Sequence, residues 1–400
     1  MKFASAITTK TDWTEAVEDL TRQVRLDLRG KSVGLGLVFV HPEYVPQIEN
    51  LLGALRQGLG VRHLIGCTGL GIIGVEQEIE QCPAVSFLAA ELPEVEIKPF
   101  HVGEADLEES SGPEYWQFRL EVAPAENPNL LLLADPFSIQ TVQLVEELSE
   151  AYPGAPLLGG LASGGEQPGE NRLFLDEQIL DEGAVGVCLS GNVRLQTIVS
   201  QGCKPIGQPF TITRAEKNML FELGGKPPVT VLQELLTELP KTDQQLARTA
   251  LFLGRVINEY KEDFERGDFL IRNLLGHDPQ SGALAVGDWI RTGQTVQFQV
   301  RDGRSADEDL RFLLAQQQPR FATSPPQGIV LFSCLGRGEG MYGSPHHDIQ
   351  TLHEYLGRVP TAGFFCNGEI GPVGERAFVH GFTSVVGLFT EPAEADTKGK

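Results

Sequence analysis

Three glycine-rich segments of this chain have the composition to bind an anion through main-chain N–H groups. They are residues 66–71, 159–165 and 363–371, and each follows an apolar run. Glycine lacks Cβ and tolerates positive φ, so successive N–H groups can converge on a carboxylate or phosphate oxygen. The alternative is that the glycines only allow close packing of strand and turn, since no segment has the Gly-Lys-Ser/Thr of a P-loop. The ligand-binding residues predicted from the first two segments are Gly66, Cys67, Thr68, Gly69, Gly71, Gly159 and Gly160.

Charged side chains near the third segment could bind the two ends of an amino acid. Arg337 follows an apolar run and could hold a carboxylate bidentately, while Glu369, in the turn Asn367-Gly368-Glu369, could receive an ammonium group. Arg272 and Arg301 stand at or near predicted strand ends with similar potential. Structural ion pairs for the arginines, and capping of main-chain N–H groups by Glu369, are the alternatives.

The cysteines and histidines do not form a convincing catalytic or metal-binding pattern. Cys67, Cys334 and Cys366 each follow a predicted strand, where a nucleophile can be presented, but free cysteine is usually a small buried hydrophobic residue. His346-His347-Asp348 lacks a second ligand pair at i+4 spacing. We therefore predict no catalytic residue, no metal and no cofactor.

The glycine segments belong to a strand-helix-strand pattern that occurs three times. Residues 33–40 and 130–134 predict first strands, broken by His41-Pro42 and Asp135-Pro136, and an amphipathic helix precedes each glycine segment. A shift of 94 residues carries Gly66 onto Gly160, and a shift of 297 carries it onto Gly363. The third copy begins with a strand at 329–332. The carboxyl ends of the strands would place all three segments where α/β proteins bind ligands.

Other elements complete the prediction of an α/β fold with mixed sheets built from these repeated units, in two domains. Asp12 caps a helix through about Leu28. The other predictions are a hairpin-like pair at 84–90 and 95–100, a loop at 103–112, a strand at 115–122, a strand pair at 183–190 and 194–201, a linker at 319–326 and a last strand at 378–389. Turn formers near 224–228 divide a domain at 1–222, with two repeats, from one at 223–390, with the third; residues 391–400 are expected to be a disordered tail.

Composition narrows the class of protein. The 400 residues carry a formal net charge of −22 without a basic cluster, which argues against a nucleic-acid partner. No apolar run approaches the ~20 residues of a membrane span, and the start of the chain lacks the hydrophobic core of a signal peptide. The six cysteines show no C-x2-C spacing and are expected to be reduced. A cytoplasmic protein is predicted.

Motifs from about residue 30 to 390 resemble the FIST family, whose FIST N and FIST C domains occur in signalling proteins. The resemblance rests on the motifs at 66–69, 159–160, 269–273, 296–302, 332–337 and 367–372. It implies a cytosolic sensor of small ligands, with amino acids as the proposed ligand class and a signalling protein as a further partner. From these motifs we add Asn273, Ser333, Cys334, Asn367 and Gly368 to the predicted ligand-binding residues. A protein-interaction adaptor with structural glycine turns and a thiol-dependent enzyme are the alternatives.

Overall fold

One pattern of strands and helices occurs three times in the computed structural model, which describes residues 1–261, 263, 264 and 267–392. The first repeat contains β1 (Lys2–Thr8), α1 (Trp13–Leu28), β2 (Leu35–Val40), α2 (Ile48–Leu59), β3 (His63–Thr68), β4 (Ile72–Gly74), β5 (Gln77–Ile79) and β6 (Val85–Glu91). The second contains β7 (Val95–Val102), α3 (Glu104–Glu109), α4 (Pro113–Arg119), β8 (Asn129–Ala134), α5 (Thr141–Ala151), β9 (Leu157–Leu161), β10 (Leu173–Leu175), β11 (Gln178–Leu180) and β12 (Ala184–Gly191).

The third repeat is interrupted by a long insertion after its first strand, β13 (Arg194–Ser200). The insertion contains β14 (Cys203–Pro205), β15 (Phe210–Glu216), β16 (Met219–Leu223), α6 (Pro228–Glu238), α7 (Lys241–Leu246), β17 (Leu251–Val256), β18 (Phe269–His277), β19 (Leu284–Val286) and β20 (Thr295–Arg301). The repeat continues with α8 (Gly303–Thr323), β21 (Gly328–Cys334), α9 (Glu339–Tyr342), α10 (His347–Leu356), β22 (Thr361–Cys366), β23 (Glu369–Val373), β24 (Arg376–His380) and β25 (Ser384–Thr390).

The chain forms two compact units, and the insertion is one of them. The first unit consists of Met1–Val199 and Leu313–Lys400, and the second of Ser200–Phe312. The predicted boundary between residues 222 and 223 lies inside the second unit, so the compact units divide the chain differently from the predicted domains. The predicted tail lies outside the described residues from position 393 onward.

Each repeat builds one six-stranded sheet of the first unit around a parallel pair of strands. The pairs are β2 with β3, β8 with β9, and β21 with β22. The first strand of each pair also pairs antiparallel with the last strand of its repeat, namely β6, β12 or β25. The prediction of an α/β fold with mixed sheets is therefore confirmed.

A hairpin from a different repeat completes each of these sheets. The hairpin of β4 and β5 pairs with β22, that of β10 and β11 with β3, and that of β23 and β24 with β9. The first repeat thus completes the sheet of the third, the second that of the first, and the third that of the second. This cyclic exchange joins the three repeats into one unit.

The sequence explains the layering of this unit. The central strands are almost wholly apolar and are buried along their length, as expected for strands covered on both faces. Helices such as α1 bury one apolar stripe, and Asp12 caps α1 by accepting hydrogen bonds from the Thr14 and Glu15 N–H groups, as predicted. A shared core lies between the sheets, where the ring of Phe39 stacks on that of Phe364 at 5.0 Å between centroids.

The first glycine of each segment lies inside a strand and has a packing role. Gly66, Gly159 and Gly363 stand opposite equivalent residues of the neighbouring parallel strand. A Cβ atom at these positions would lie 1.9, 1.7 and 1.9 Å from a carbonyl oxygen of that strand. In the structure, Gly66 of the first repeat therefore corresponds to Gly159 of the second repeat and not to Gly160. The offset between these two repeats at this point is one residue shorter than the 94 residues predicted from the sequence.

The second unit, taken by itself, is a closed barrel with two helices. Its strands pair in the order β20, β15, β16, β19, β18, β17, and β17 pairs with β20 again, while β14 extends β20. Phe298 and its neighbours Val296 and Val300 on β20 are fully buried in its apolar core. The sequence predicts extended segments at 269–274 and 283–286 and an alternating strand at 294–301, and β18, β19 and β20 lie at these positions.

Several local predictions were wrong. Residues 113–119 form α4 instead of a strand, because Pro113 starts the helix and Trp116 becomes its buried anchor. Residues 104–109 form α3 within the predicted loop, and Pro319 lies inside α8 rather than in a linker. The two predicted strand pairs do not form: β6 and β7 lie in different sheets, and so do β12 and β13. The single last strand predicted at 378–389 is two strands, β24 and β25, which also lie in different sheets.

Candidate functional site

Arg337, the predicted carboxylate clamp, binds a carboxylate of its own chain. It lies between β21 and α9, and its Nε and Nη2 donate to Asp348 Oδ2 and Oδ1 at 2.8 and 3.1 Å. The Arg337 side chain is 0% exposed and that of Asp348 is 2% exposed. The geometry predicted for a bound ligand is thus present, but Asp348 of α10 occupies the ligand's place.

Further polar groups surround Asp348. Ser333 Oγ donates to Oδ2 at 3.2 Å, the Tyr342 hydroxyl donates to Oδ1 at 2.8 Å, and the ring of His347 stacks on that of Tyr342. Burial alone would raise the pKa of Asp348, but the Arg337 guanidinium and the hydrogen bonds from His347 and Tyr342 hold it well below its usual range. Asp348 is therefore an ionised, fully satisfied carboxylate.

A second buried carboxyl group, that of Glu78, reaches this cluster from the first repeat. Glu78 lies on β5, is 3% exposed, and accepts a hydrogen bond from Ile349 N at 2.8 Å. Burial, together with the nearby charge of Asp348, raises the pKa of Glu78 to about 8. Sequence reasoning missed Glu78 because the strand that carries it is only three residues long.

The residues predicted in the first two glycine segments lie at the junction of the three sheets. A Cβ at Gly69, Gly71 or Gly160 would come within 3.0 Å of Phe364, Phe365 or Cys366 respectively. The N–H groups of Thr68, Gly69 and Leu70 donate to Arg172 O, Val40 O and Ser163 Oγ. Cys67 and Cys366 are fully buried, which raises the pKa of both thiols well above the usual value. This geometry favours the structural interpretation of these turns.

Three predicted residues, Arg272, Asn273 and Arg301, belong to the second unit. Arg272 lies on β18 and donates through Nε to Asp288 Oδ2 at 3.0 Å, and Arg255 donates to the same oxygen at 3.1 Å. Arg301, on β20, is 8% exposed. Arg272 therefore has the structural ion pair that was its alternative role.

A cavity of about 480 Å³ opens at the carboxyl ends of β8 and β9 in the first unit. Leu161, the last residue of β9, lines it together with Val379 of β24. The remaining lining residues come from α3, the loop after β8 and the start of α5: Glu104, Pro136, Phe137, Ser138, Ile139, Gln140, Thr141 and Val142.

Two predicted segments meet beside this cavity. Leu161 N donates to Gly368 O at 2.8 Å, and Asn367 N donates to Leu161 O at 3.1 Å. Gly160 pairs with Glu369, whose side chain is wholly buried and accepts from Thr383 N at 2.9 Å. The structure therefore brings together Gly159 and Gly160 with the turn at 367–369.

The corresponding strand ends of the other two repeats carry close contacts within the chain. In the first repeat, Pro42 follows β2 and packs against Gly164, where a Cβ would lie 2.3 Å from Pro42 Cγ. In the third, Asp348 and Glu78 occupy the space at the start of α10. The position of Glu78, opposite Ile73 in its hairpin, corresponds to that of Val379, opposite Ile370. An apolar side chain thus lines the second-repeat cavity where the third repeat has a carboxyl group.

A cavity of about 540 Å³ lies at the opposite edge of the second repeat's sheet, near the amino ends of β8 and β9. Its lining includes Asn129, Tyr152 and Arg194, and none of the predicted ligand-binding residues. The carboxyl edge is where open α/β sheets bind ligands, so the smaller cavity is the stronger candidate. No cluster of three or more metal-binding side chains occurs among the residues described, and no helix among them is long and apolar enough to cross a membrane.

Comparison with known proteins identifies the class and then the family. The FIST N domain model matches residues 34–226 and the FIST C domain model matches residues 228–372. FIST domains are sensory domains of signal transduction that are suggested to bind small ligands. The chain belongs to the FIST family.

The relatives have no described function. An uncharacterized protein of Mycobacterium tuberculosis is 37% identical over 391 residues, covering 98% of this chain and 100% of its own. One of Mycobacterium bovis is 35% identical over 399 residues, with the same coverage. An F-box/LRR-repeat protein of Arabidopsis thaliana is 30% identical over 105 residues, 26% of this chain and 20% of its own. The mycobacterial similarities cover almost the whole chain but name no ligand.

Proposed function

We propose that this protein is a sensor that binds a small carboxylate, such as an amino acid, in the second-repeat cavity. The observation that carries the proposal is the cavity itself: it lies at the carboxyl ends of β8 and β9, while buried Asp348 and Glu78 occupy the corresponding place in the third repeat. Its volume of about 480 Å³ is within the range of small-molecule sites, roughly 300–1,000 Å³. Convergence of two predicted segments beside it adds support.

The start of α5 favours a negatively charged ligand group. Glu49 lies in the first turn of α2 and Asp348 in that of α10, but α5 has no acidic residue in its first turn. The amino end of a helix carries partial positive charge and N–H groups that lack helical partners, and it attracts anions. The chain places one carboxylate, that of Glu104, at this helix start, and a ligand carboxylate would be a second negative group there.

Other lining residues favour an amino acid with an apolar side chain. The carboxylate of Glu104 lies in the cavity wall and accepts a hydrogen bond from Gln140 N at 2.9 Å, so it can attract an ammonium group. Phe137, Ile139 and Val142 provide apolar surface, and Phe137 and Val142 are 38% and 56% exposed. In this proposal Glu104 takes the role that the sequence assigned to Glu369, and the start of α5 takes that of Arg337.

We propose further that the protein is not an enzyme and acts in the cytoplasm through a signalling partner. Two of the three cysteines considered as nucleophiles, Cys67 and Cys366, are buried with a raised pKa, which keeps them as unreactive thiols. All six cysteines are free, which is typical of a reducing compartment.

A thermal-shift screen with amino acids and simple carboxylates, followed by calorimetry of the hits, tests the ligand. Val142→Asp and Val142→Asn then locate the site, because the two side chains have the same size and differ in charge. We expect Val142→Asn to weaken binding only modestly, through the lost apolar contact, and Val142→Asp to bind at least tenfold more weakly than Val142→Asn, since its carboxylate takes the ligand's place at α5. Equal binding by both variants would refute the location, and a flat screen would favour the adaptor.

Glu104→Gln distinguishes the ligand classes within the same experiment. An amino acid should bind this variant more weakly than the wild type, since the attraction to its ammonium group is lost. A carboxylate without an amino group should bind it equally or better. If amino acids bind Glu104→Gln as tightly as the wild type, the ammonium site is elsewhere.

A further inference from the structure

The hairpin of β4 and β5 is held on the third repeat by a set of polar contacts. In addition to the pairing of β4 with β22, Glu78 N donates to His346 Nδ1 at 2.9 Å, and Ile349 N donates to Glu78 Oε1 at 2.8 Å. Glu80, two residues further along the chain, accepts from Glu339 N at 2.9 Å. Both carboxyl groups thus bind main-chain N–H groups of the segment 338–349.

One oxygen of this contact has no partner. Glu78 Oε2 is buried without a hydrogen-bond donor or acceptor among the residues described. A buried carboxylate oxygen without a donor is costly, whereas a protonated carboxyl group carries no net charge to be desolvated. The contact is therefore built for the protonated form of Glu78.

Two of the three charges named here that face Glu78 disfavour its ionised form. Asp348 on α10 and Glu80 on its own hairpin both disfavour a negative charge at Glu78, and the Arg337 guanidinium favours it. That guanidinium is hydrogen-bonded to both oxygens of Asp348. The imidazole of His346 faces the Glu78 main chain, where its Nδ1 accepts a hydrogen bond. One guanidinium would thus face two buried carboxylates if Glu78 lost its proton.

We propose that Glu78 is a proton-operated latch, which holds the hairpin of the first repeat on the third repeat while it is protonated and releases it when the proton is lost. On release, the carboxylate reaches water, and the repulsion from Asp348 is relieved. The edge of β22, from Ala362 to Phe364, then loses the strand that pairs with it. That edge would then expose main-chain N–H and C=O groups that are paired in the closed state.

The direction of the pH dependence follows from the raised pKa. The pKa of Glu78 is raised to about 8 in the closed state from an ordinary 4.5, so the closed state binds the proton more tightly than the open one. Between pH 4.5 and about pH 8, the equilibrium constant for opening rises by about tenfold per pH unit. Below this pH range the hairpin is held most tightly, and above it the opening constant no longer changes with pH.

Hydrogen exchange of the full chain between pH 6 and 9, corrected for intrinsic exchange rates, tests this proposal. Amides at 72–79 should show an opening constant that rises about tenfold per pH unit up to about pH 8. The hairpin of β10 and β11, which joins β3 in the same way, is the internal control, because it has no carboxyl residue on either strand. Equal pH dependence of the two hairpins would overturn the proposal.

Two variants locate the effect on a single carboxyl group. Glu78→Gln keeps the acceptor for Ile349 N and cannot ionise, so its hairpin should stay closed at pH 8 with no dependence on pH. Glu80→Gln is the matched control and should retain the wild-type dependence. A Glu78→Gln protein whose hairpin still opens with rising pH would refute the assignment, and the comparison of hairpins in the wild type decides the question if this variant fails to fold.

Discussion

Replacing Arg337 by methionine should destabilise the first unit rather than merely abolish ligand binding. The substitution removes the guanidinium but keeps most of the side-chain volume, so Asp348 is left ionised and buried. Loss of one partner of a buried ion pair costs about 3–5 kcal/mol. The exposed pair of Arg376 and Glu150, with 66% and 53% exposed side chains, is the matched control. Arg376→Met should cost about 0–1 kcal/mol.

The three tryptophans make the assay specific to the first unit. Trp116 is fully buried there, whereas Trp289 of the second unit is 74% exposed. Urea titrations in a Trp289→Phe background, followed by fluorescence, therefore report the unfolding of the unit that contains Arg337. The midpoint should fall for Arg337→Met while the dependence on urea concentration stays unchanged.

The pH dependence supplies a second readout. In the wild type, the lowered pKa of Asp348 stabilises the fold at pH values above its ordinary pKa of 3.8. This stabilisation is lost as the pH falls through the lower pKa that Asp348 has in the folded protein. In Arg337→Met, burial without a guanidinium raises that pKa, so stability is lost as pH rises instead. The difference in free energy of unfolding between the wild type and Arg337→Met should increase from pH 4 to 7. An unchanged midpoint combined with lost ligand binding would refute this reasoning and restore Arg337 as a ligand clamp.

Further predictions concern the glycines and the thiols. Gly66→Ala should cost at least the ~1–3 kcal/mol typical of overpacking, because its Cβ would lie 1.9 Å from Val38 O. Gly53→Ala in α2 has no atom within 4 Å of the added Cβ and should stabilise the protein by about 0.5–1 kcal/mol. Urea denaturation measures both changes in the free energy of unfolding. Near neutral pH, iodoacetamide should label exposed Cys82 and spare buried Cys67 and Cys366, as judged by mass spectrometry of tryptic peptides. Rapid labelling of either buried thiol in the folded protein would revive a thiol-dependent activity.

Local and repeated features of the fold could be read from the sequence. The N-cap at Asp12, the apolar run of β2 and the periodic stripe of α2 are each encoded within a few neighbouring residues. The prediction failed at 113–119, because aromatic residues in a short segment satisfy a strand pattern and a helix pattern equally well.

Strand partners could not be predicted in this way. Glu78 and His346 make contact although 268 residues separate them in sequence. Because each repeat resembles the others, its hairpin has three chemically similar strands to join, and local patterns do not choose among them. The same limit applies to the site: Arg337 was predicted to hold a ligand carboxylate, and its pairing with Asp348 of its own chain depends on how α9 and α10 fold back.

The cyclic exchange of hairpins determines when the protein can fold during its synthesis. The hairpin at 72–79 emerges from the ribosome early, but its partner β22 follows only after the whole second unit has been made. At about 5–20 residues per second, the 268 residues between Glu78 and His346 take roughly 15–50 s. Throughout that interval the nascent first unit presents unfilled strand edges, whereas the second unit is synthesised in one continuous stretch and can close at once. A nascent chain of this architecture should therefore depend on chaperones for its first unit and not for its second unit, the barrel.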